Sequence, residues 1–359
     1  MSLDFRVEPN PTPASPERRA ELLSNPGFGR IFSDHMAMAV WTPDEGWHDA
    51  RIQAYGPLSL DPAAQVFHYA QSIFEGFKAY RQPDGSVATF RPIANGERFR
   101  RSATRMALPD LPVEDFVAAA DTLIRTDADW VPSEPGTSLY MRPFMMATEV
   151  GLGVRPAQEV TFLVLASPGA SYFHGGVKPV TIWLSEDYTR AAPGGTGAAK
   201  CAGNYAASLI AQQEAIANDC EQVLFLDAVE RRWIEEFGGM NAWFVLDDGT
   251  LVTPELTGSI LEGITRNTII TLAGDMGREV EERRIDIDEW RKGVENGRIT
   301  EVFACGTAAV ITPIGALRWR GGEVTMPAET PVANRIRETL VGIQTGEVPD
   351  THGWLHRIC

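Results

Sequence analysis

Residues 190–208 read RAAPGGTGAAKCAGNYAAS, and this stretch decides how the rest of the chain is interpreted. One lysine, Lys200, stands in a run of glycine and alanine, and glycines at 194, 195 and 197 let a planar ligand approach the backbone closely. Gly203 and Asn204 then begin a pattern of apolar residues at helical spacing, at positions 209, 210, 211, 215 and 216. The stretch therefore places one lysine just before the start of a helix.

Lysine is scarce in this chain. Only Lys78, Lys178, Lys200 and Lys292 occur among 32 basic residues, so the remaining 28 are arginine. An arginine guanidinium stays protonated, whereas a desolvated lysine amine can lose its proton and form a Schiff base with a carbonyl. A solvated lysine on a flexible loop is the ordinary alternative, but the small residues and the adjoining helix favour a chemical role. Tyr205, five residues on, can direct its phenol at whatever Lys200 holds.

The segment GGTGAAKCAGNY resembles the lysine motif of the branched-chain amino acid aminotransferases, which are pyridoxal-phosphate enzymes of fold type IV. Further segments resemble those of the family and follow in family order: HYAQSIFEGFKAY (68–80), FRPIANGERFRRSATRMALP (90–109), GTSLYMRPF (136–144), SPGASYFHGG (167–176), EEFGGMNAWFV (235–245), SILEGITRNTI (259–269) and FACGTAAVITPI (303–314). The resemblance covers nearly the whole chain from about residue 28 onward. It implies an enzyme with pyridoxal 5'-phosphate as cofactor.

Length and composition agree with such an enzyme. A chain of 359 residues indicates about two domains. No apolar run approaches the roughly 20 residues of a membrane helix, and a net charge of −16 disfavours nucleic acid and anionic membranes as partners. The four cysteines, Cys201, Cys220, Cys305 and Cys359, have no paired spacing. This spacing predicts neither a disulfide frame nor a metal site, and it favours a cytoplasmic location.

Periodicity predicts alternating strands and helices. We expect strands at 67–80, 87–90, 138–146, 159–167, 180–185 and 222–227, a hairpin across Asp247-Asp248-Gly249, and helices at 95–106, at 113–126, after Gly203 and after Gly263. Residues 1–27 are rich in proline and polar residues, which predicts a flexible arm. The expected domains are 28–170 and 180–359, joined by a loop at 171–179, with the cofactor lysine in the second. The resemblance implies an α+β or α/β chain of fold type IV, with a small two-layer α/β domain and a larger pseudo-barrel α/β domain.

The resemblance also assigns roles around the cofactor, which needs a lysine, a charge partner for its ring nitrogen, a donor near its ring oxygen and a cradle for its phosphate. It implies Lys200 as the catalytic residue and the residue that binds the cofactor covalently. Glu236 matches the carboxylate that keeps the ring nitrogen protonated, and its neighbour Glu235 is the alternative. Tyr205 matches the phenol beside the ring oxygen.

For the phosphate, the segment Gly263-Ile264-Thr265 precedes a helical pattern, and amides at a helix N-terminus bind anions. Ile264 and Thr265 are therefore expected to contact the phosphate. Thr307 adds a hydroxyl and a backbone donor. Arg98 matches the phosphate arginine of the family, whereas Arg100 and Arg101 are expected at the surface.

Branched aliphatic side chains call for an apolar pocket with aromatic walls. The resemblance implies that the substrate-binding residues are Phe28, Tyr69, Phe74, Tyr140, Arg142, Tyr172, Met240, Thr307 and Ala308. Among these, Arg142 fits the position that meets the side-chain carboxylate of glutamate, because a guanidinium matches two carboxylate oxygens. An ion pair between Arg142 and a protein acid such as Glu149 is the alternative. Gly239 stands where relatives carry threonine, which leaves the width and polarity of the pocket there open.

Leu152 and Val154 resemble a loop that the second subunit contributes, which implies a homodimer. The implied reaction is a reversible ping-pong transfer of the amino group between leucine, isoleucine or valine and 2-oxoglutarate, giving branched 2-oxo acids and glutamate. A D-amino acid aminotransferase or an aminodeoxychorismate lyase would keep Lys200, but the segments around 69–77 and 140–142 favour the branched-chain enzymes. A catalytically silent binding protein is a further alternative. It should have lost at least one of the four residues Lys200, Tyr205, Glu236 and Arg98.

Overall fold

The computed structural model describes residues 2–170 and 178–359. The chain forms two compact units, of which the first comprises residues 1–174, 199–202 and 342–359 and the second comprises 175–198 and 203–341. The short segment with Lys200 thus groups with the first unit, whereas the sequence analysis assigned it to the second. Its backbone is the cause, since Phe74 N donates to Lys200 O at 3.0 Å and Lys200 N donates to Ser102 Oγ at 3.0 Å.

The first unit is a mixed sheet covered by helices. Its strands before residue 170 are β1 (Arg6–Val7), β2 (His35–Thr42), β3 (Gly46–Ala54), β4 (Ser72–Phe74), β5 (Phe77–Arg81), β6 (Val87–Phe90), β7 (Ser138–Ala147) and β8 (Val160–Gly169). Its helices are α1 (Pro16–Ser24), α2 (Gln65–Tyr69), α3 (Pro92–Arg105) and α4 (Val113–Thr126), with a 3₁₀ turn at Ala128–Trp130.

Helices α3 and α4 pack on the sheet through a cluster of aromatic rings. The ring centroid of Phe99 in α3 lies 5.2 Å from that of Phe116 in α4, and 5.7 Å from that of Phe162 in β8. All three side chains are fully buried, and burial of apolar area is the main favourable contribution to folding. The two-layer α/β arrangement expected for the first domain is confirmed.

Two segments differ from the sequence expectation. Residues 1–27 contain regular structure, because Ser15 caps helix α1 by accepting from Arg18 N at 3.2 Å, and β1 pairs in parallel with β3. The run 67–80 is not one strand but α2, β4 and β5. Ala70 adopts a left-handed conformation with φ of 49°, which ends α2 and turns the chain into β4.

The second unit contains a closed sheet. Its strands are β9 (Val180–Leu184), β10 (Gln222–Leu226), β11 (Ile234–Phe237), β12 (Met240–Leu246), β13 (Leu251–Thr253), β14 (Val280–Glu282), β15 (Ile299–Gly306), β16 (Val310–Trp319) and β17 (Gly322–Thr325). Its helices are α5 (Ala202–Ala217), α6 (Ile264–Asp275), α7 (Ile287–Glu295) and α8 (Pro331–Thr345), the last of which ends in residues of the first unit.

The strands pair in the order β11-β10-β9-β16-β15-β12, and β11 also pairs with β12. This additional pairing joins the two ends of the path, so six strands close into a barrel and the implied pseudo-barrel is confirmed. The predicted hairpin at Asp247-Asp248-Gly249 connects β12 to β13, with Gly249 at a positive φ of 88°.

The chain ends in strand β18 (Leu355–Arg357), which pairs antiparallel with β6 in the sheet of the first unit. This strand gives the sheet the order β1-β3-β2-β8-β7-β5-β6-β18, and β4 pairs with β7 beside that path. Within residues 2–170 and 178–359, we find no helix with the length and apolar character needed to cross a bilayer.

Candidate active site

The first unit surrounds Lys200 with aromatic and charged side chains that we call the lysine cluster: Lys200, Phe74, Glu75, Arg98, Tyr140 and Arg142. Lys200 Nζ lies 4.7 Å from the centroid of the Phe74 ring. The backbone of the lysine segment runs beside β4, where Cys201 pairs with Ile73 in an isolated antiparallel β-bridge. These contacts hold a reactive amine over an aromatic face.

The pKa of Lys200 is lowered to about 8, from the 10.5 of an ordinary lysine, chiefly by burial and secondly by the charge of the Arg98 guanidinium. Glu75 and Tyr140 act in the opposite direction, and Arg142 in the same direction as Arg98. A usable fraction of the amine is therefore uncharged near neutral pH. An uncharged amine is the form that attacks a carbonyl carbon.

Arg98, the predicted phosphate arginine, projects from α3 and forms a two-point ion pair with Glu75. Its Nε and Nη2 lie 2.7 and 2.9 Å from the two carboxylate oxygens of Glu75, and both side chains are buried. Glu75 thus fixes the plane of the guanidinium. Arg100 and Arg101 are exposed, as expected.

Arg142 lies against two aromatic rings. Its Nη2 donates to Tyr140 Oη at 3.1 Å, and its Cζ lies 4.9 Å from the Phe74 centroid. The Phe28 ring meets Tyr140 edge to face at 5.1 Å. Glu149, the acid considered as a partner for Arg142, pairs with Arg155 instead. In the part of the chain that the structure describes, Arg142 Nε is buried without a hydrogen-bond partner.

Within the first unit, Tyr69 contacts the loop predicted to enter a partner subunit. Its Oη donates to the backbone carbonyl of Leu152 at 2.6 Å. Leu152 and Val154 are 66% and 84% exposed, which is unusual for apolar side chains that lie so close together. Tyr172, another predicted substrate residue, lies outside the described residues.

The second unit holds a separate group that we call the carboxylate cluster: Arg190, Glu236, Asn241, Ser259 and Leu261. Glu236 lies in β11 and is 1% exposed. Its Oε2 is 2.9 Å from Arg190 Nε, and its Oε1 accepts from Leu261 N. A charged donor and a backbone donor thus both contact this buried carboxylate.

Glu235 has a different environment, because successive side chains of a strand point to opposite faces. Its carboxylate accepts from Ser259 Oγ, and burial raises its pKa. Glu236 forms a direct ion pair with Arg190, whereas the charge of Arg190 only partly offsets the effect of burial on the pKa of Glu235. This difference supports Glu236 as the acid that keeps a negative charge.

The register of the barrel brings the predicted phosphate residues near Glu236. Glu236 in β11 pairs in register with Asn241 in β12. Asn241 in turn pairs with Cys305 in β15, which stands two residues before Thr307. Asn241 Nδ2 donates to Leu261 O at 3.0 Å, just before the N-cap Gly263 of α6. The first amides of a helix have no carbonyl partner within it, so Ile264 and Thr265 present donors on this side of the barrel.

Asn241 is a further residue of this cluster, with no role predicted from the sequence. It stands in the quoted motif EEFGGMN, and the hairpin between β11 and β12 places it opposite Glu236. Its signal in the sequence was a single polar residue near the start of the otherwise apolar run MNAWFVL, which forms β12.

Tyr205 lies in α5 beside the glycine that departs from the family pattern. A Cβ added at Gly239 would lie 3.3 Å from Tyr205 Cε1. This separation is tight, so a threonine there would press on the phenol ring. Met240 follows at the start of β12, and Thr307 and Ala308 are half-buried in the turn between β15 and β16.

Comparisons with known proteins identify the family and the fold of the chain. The family model described as amino-transferase class IV matches residues 72–317. A probable branched-chain-amino-acid aminotransferase of Streptomyces coelicolor is 57% identical over 99% of this chain and 98% of its own length. The crystal structure of the branched-chain amino acid aminotransferase of Escherichia coli has a TM-score of 0.74 at 30% identity, covering 90% of this chain and 100% of that chain. The crystal structure of the branched-chain aminotransferase of Thermoproteus uzoniensis with norvaline has a TM-score of 0.75 at 27% identity, again covering 90% and 100%.

Proposed function

Since the chain belongs to the branched-chain-amino-acid aminotransferases of the class IV family, we propose that it transfers the amino group of leucine, isoleucine or valine to 2-oxoglutarate. The products are branched 2-oxo acids and glutamate, and the reaction is reversible. One pocket serves both amino acids in turn, so it must accept an aliphatic side chain and a carboxylate.

The observation that carries the proposal is the state of Lys200. Its amine lies over the Phe74 ring, and its pKa is lowered to about 8. A surface lysine would remain protonated at the pH of the cell. Lys200 can instead act as a nucleophile, and later as the base that takes the proton from the α-carbon of the substrate.

The residues present fit pyridoxal phosphate. When bound, this group supplies a protonated pyridine ring that withdraws electrons from the bond breaking at the α-carbon. Lys200 would hold its carbonyl carbon, and Glu236, ionised and paired with Arg190, would hold its ring nitrogen. Tyr205 would donate to the ring oxygen. Arg98, Ile264, Thr265 and Thr307 would hold the phosphate, for which a buried guanidinium and helix N-terminal amides are suitable donors.

The substrate residues divide by chemistry. Phe28, Phe74 and Tyr140 supply apolar surface to a branched side chain. Arg142, whose Nε has no partner in the described residues, meets the second carboxylate of glutamate. Tyr69, Tyr172, Met240, Thr307 and Ala308 complete the proposed set.

We also propose a homodimer in the cytoplasm. The exposed side chains of Leu152 and Val154 suit burial in a second subunit. All four cysteines, each in the described part of the chain, are free thiols, as is usual in a reducing compartment.

Borohydride reduction of the cofactor-loaded protein, followed by peptide mapping, tests the central assignment. The cofactor should be fixed at Lys200, and recovery at Lys78, Lys178 or Lys292 would overturn it. Steady-state rates with 2-oxoglutarate and a panel of amino donors test the substrate class. L-leucine, L-isoleucine and L-valine should react, and a preference for D-amino acids would favour the D-amino acid aminotransferase instead.

A further inference from the structure

Arg190 is a buried arginine to which the proposed reaction has so far given no role of its own. It is 5% exposed and lies in the loop between β9 and the lysine segment. Its Nε pairs with Glu236 Oε2 at 2.9 Å. Its Nη1 donates to Ser259 O at 2.8 Å and to Gly197 O at 3.3 Å. One side chain therefore connects three segments of the second unit.

The two segments whose carbonyls Arg190 binds pack closely against each other at Gly197. A Cβ at Gly197 would overlap the backbone of Ser259, so only glycine permits this approach. The same loop continues to Leu261, whose amide donates to the other oxygen of Glu236. The guanidinium and the loop at 259–261 thus hold the two carboxylate oxygens from different directions.

These contacts favour the ionised form of Glu236 and also fix the orientation of its carboxylate. A carboxylate that is 1% exposed is strongly destabilised unless it is paired. A guanidinium stays protonated throughout the pH range of a protein, so its charge does not vary with conditions. A carboxylate has about four lone-pair directions. The Arg190 guanidinium and the Leu261 amide therefore fix the plane of the Glu236 carboxylate.

We propose that Arg190 is a positioning residue that holds Glu236 ionised and oriented toward the ring nitrogen of the cofactor. The proposal rests on the proposed role of Glu236. Arg190 touches neither substrate nor cofactor in this scheme, and its effect passes through Glu236.

A double-mutant cycle tests this dependence, with Arg190→Met, Glu236→Gln and the double variant. In single-turnover reactions of the cofactor-loaded protein with leucine, Arg190→Met alone should lower the rate about 10- to 100-fold, since a preorganised electrostatic contribution is lost. In the Glu236→Gln background the same change should have little further effect, because residues that act as a unit are not additive. Equal losses in both backgrounds would overturn the proposal.

A spectroscopic measurement separates this role from a general structural one. The proton on the ring nitrogen and the proton on the Lys200 nitrogen repel each other, so loss of the first should favour the second. The pH midpoint at which the bound cofactor changes its absorption should therefore rise by about 1 unit or more in Arg190→Met. It should rise similarly in Glu236→Gln. An unchanged midpoint would contradict the proposal.

Two further variants show whether the effect depends on the charge of Arg190 and whether it is specific to this position. Arg190→Lys retains the charge and should recover most of the rate and the wild-type midpoint. If Arg190→Met does not fold, the same cycle is run with Arg190→Lys, whose smaller loss should vanish in the Glu236→Gln background. Arg283→Met is the matched control, because Arg283 pairs with Glu281 and Glu289 in the same unit. It should leave the rate and the midpoint unchanged, and a change equal to that of Arg190→Met would count against a specific role.

Failure of the proposed function gives a different result. A wild-type protein that binds the cofactor at Lys200 but does not react with leucine would contradict the substrate class. The absorption midpoint is measured without any amino acid, so it would still report on Arg190 and Glu236.

Discussion

Replacing Arg142 with methionine should separate the two substrates of the enzyme. Arg142 is held by Tyr140 Oη at 3.1 Å and by the Phe74 ring at 4.9 Å. In the described residues, its Nε is buried without a partner, and Glu149, the acid considered as its partner, pairs with Arg155 instead. Glutamate brings a carboxylate that can fill this role, whereas leucine brings only methyl groups.

The size of the effect follows from the type of bond that is lost. A hydrogen bond to a charged group contributes about 1.5 to 3 kcal/mol. Glutamate and 2-oxoglutarate should therefore lose about 10- to 150-fold in kcat/KM. Methionine keeps an apolar stem of similar length, so leucine should lose much less.

Arg142 also lowers the pKa of Lys200, so its removal should raise that pKa and reduce the uncharged amine below about pH 8. This effect is the same for both amino acids. The ratio of the glutamate rate to the leucine rate removes it, and single-turnover half-reactions measured separately give that ratio.

Two control variants show whether the change in the ratio is specific to Arg142. Tyr140→Phe removes one partner of Arg142 and should shift the ratio in the same direction by a smaller factor. Arg100→Met removes an exposed arginine that pairs with Asp110 and should leave the ratio unchanged. An equal loss for glutamate and leucine in Arg142→Met would refute the assignment and show that Arg142 supports the pocket without recognising the second substrate.

Other expectations follow from the two clusters. Lys200→Ala should abolish turnover while circular dichroism and the unfolding temperature stay near wild type, and residual turnover at the wild-type rate would contradict its role. In the cofactor-free protein, the rate at which Lys200 reacts with an aldehyde should rise with pH and level off above about pH 8. The reason is that the uncharged amine accumulates as the pH passes the lowered pKa of Lys200. A midpoint of this pH profile near 10.5 would be inconsistent with that pKa. Glu236→Gln should lower the rate about 100-fold or more with a much smaller effect on cofactor affinity, and Glu235→Gln should be close to wild type; the opposite ranking would exchange the two assignments. Leu152→Asp should shift the protein toward monomer in sedimentation velocity, whereas an unchanged oligomer would remove this loop from the interface.

Features that depend on neighbouring residues were predictable from the sequence. The expected helices at 95–106 and 113–126 match α3 and α4 closely, since apolar periodicity and the adjoining prolines set both. The turn at Asp247-Asp248-Gly249 was predictable because an Asp-Gly pair between two strand-like runs is typical of hairpins, and Gly249 indeed takes a positive φ. The strand expected at 67–80 failed because Ala70, which has no special preference for a left-handed conformation, adopts one there.

Features that depend on pairing between distant segments were not predictable from the pattern of the chain. Barrel closure requires β11 to pair with both β10 and β12, and each strand alone has an ordinary apolar pattern. The contacts of Glu236 with Arg190 and of Arg98 with Glu75 join residues that are far apart in sequence. Family resemblance supplied the identity of the site residues, whereas their partners became visible only with the register of the sheets.

The pairing of β18 with β6 has a consequence for synthesis on the ribosome. Val87 N donates to the carbonyl of Cys359 at 2.6 Å, so one edge of the sheet of the first unit is completed by residues that follow the second unit in sequence. While the second unit emerges, the nascent chain carries an unpaired β6 edge, and such edges invite pairing with other chains. Truncation or a bulky fusion after residue 354 should therefore reduce the yield of folded protein in cells and increase its demand for chaperones, although every residue of the two clusters is present.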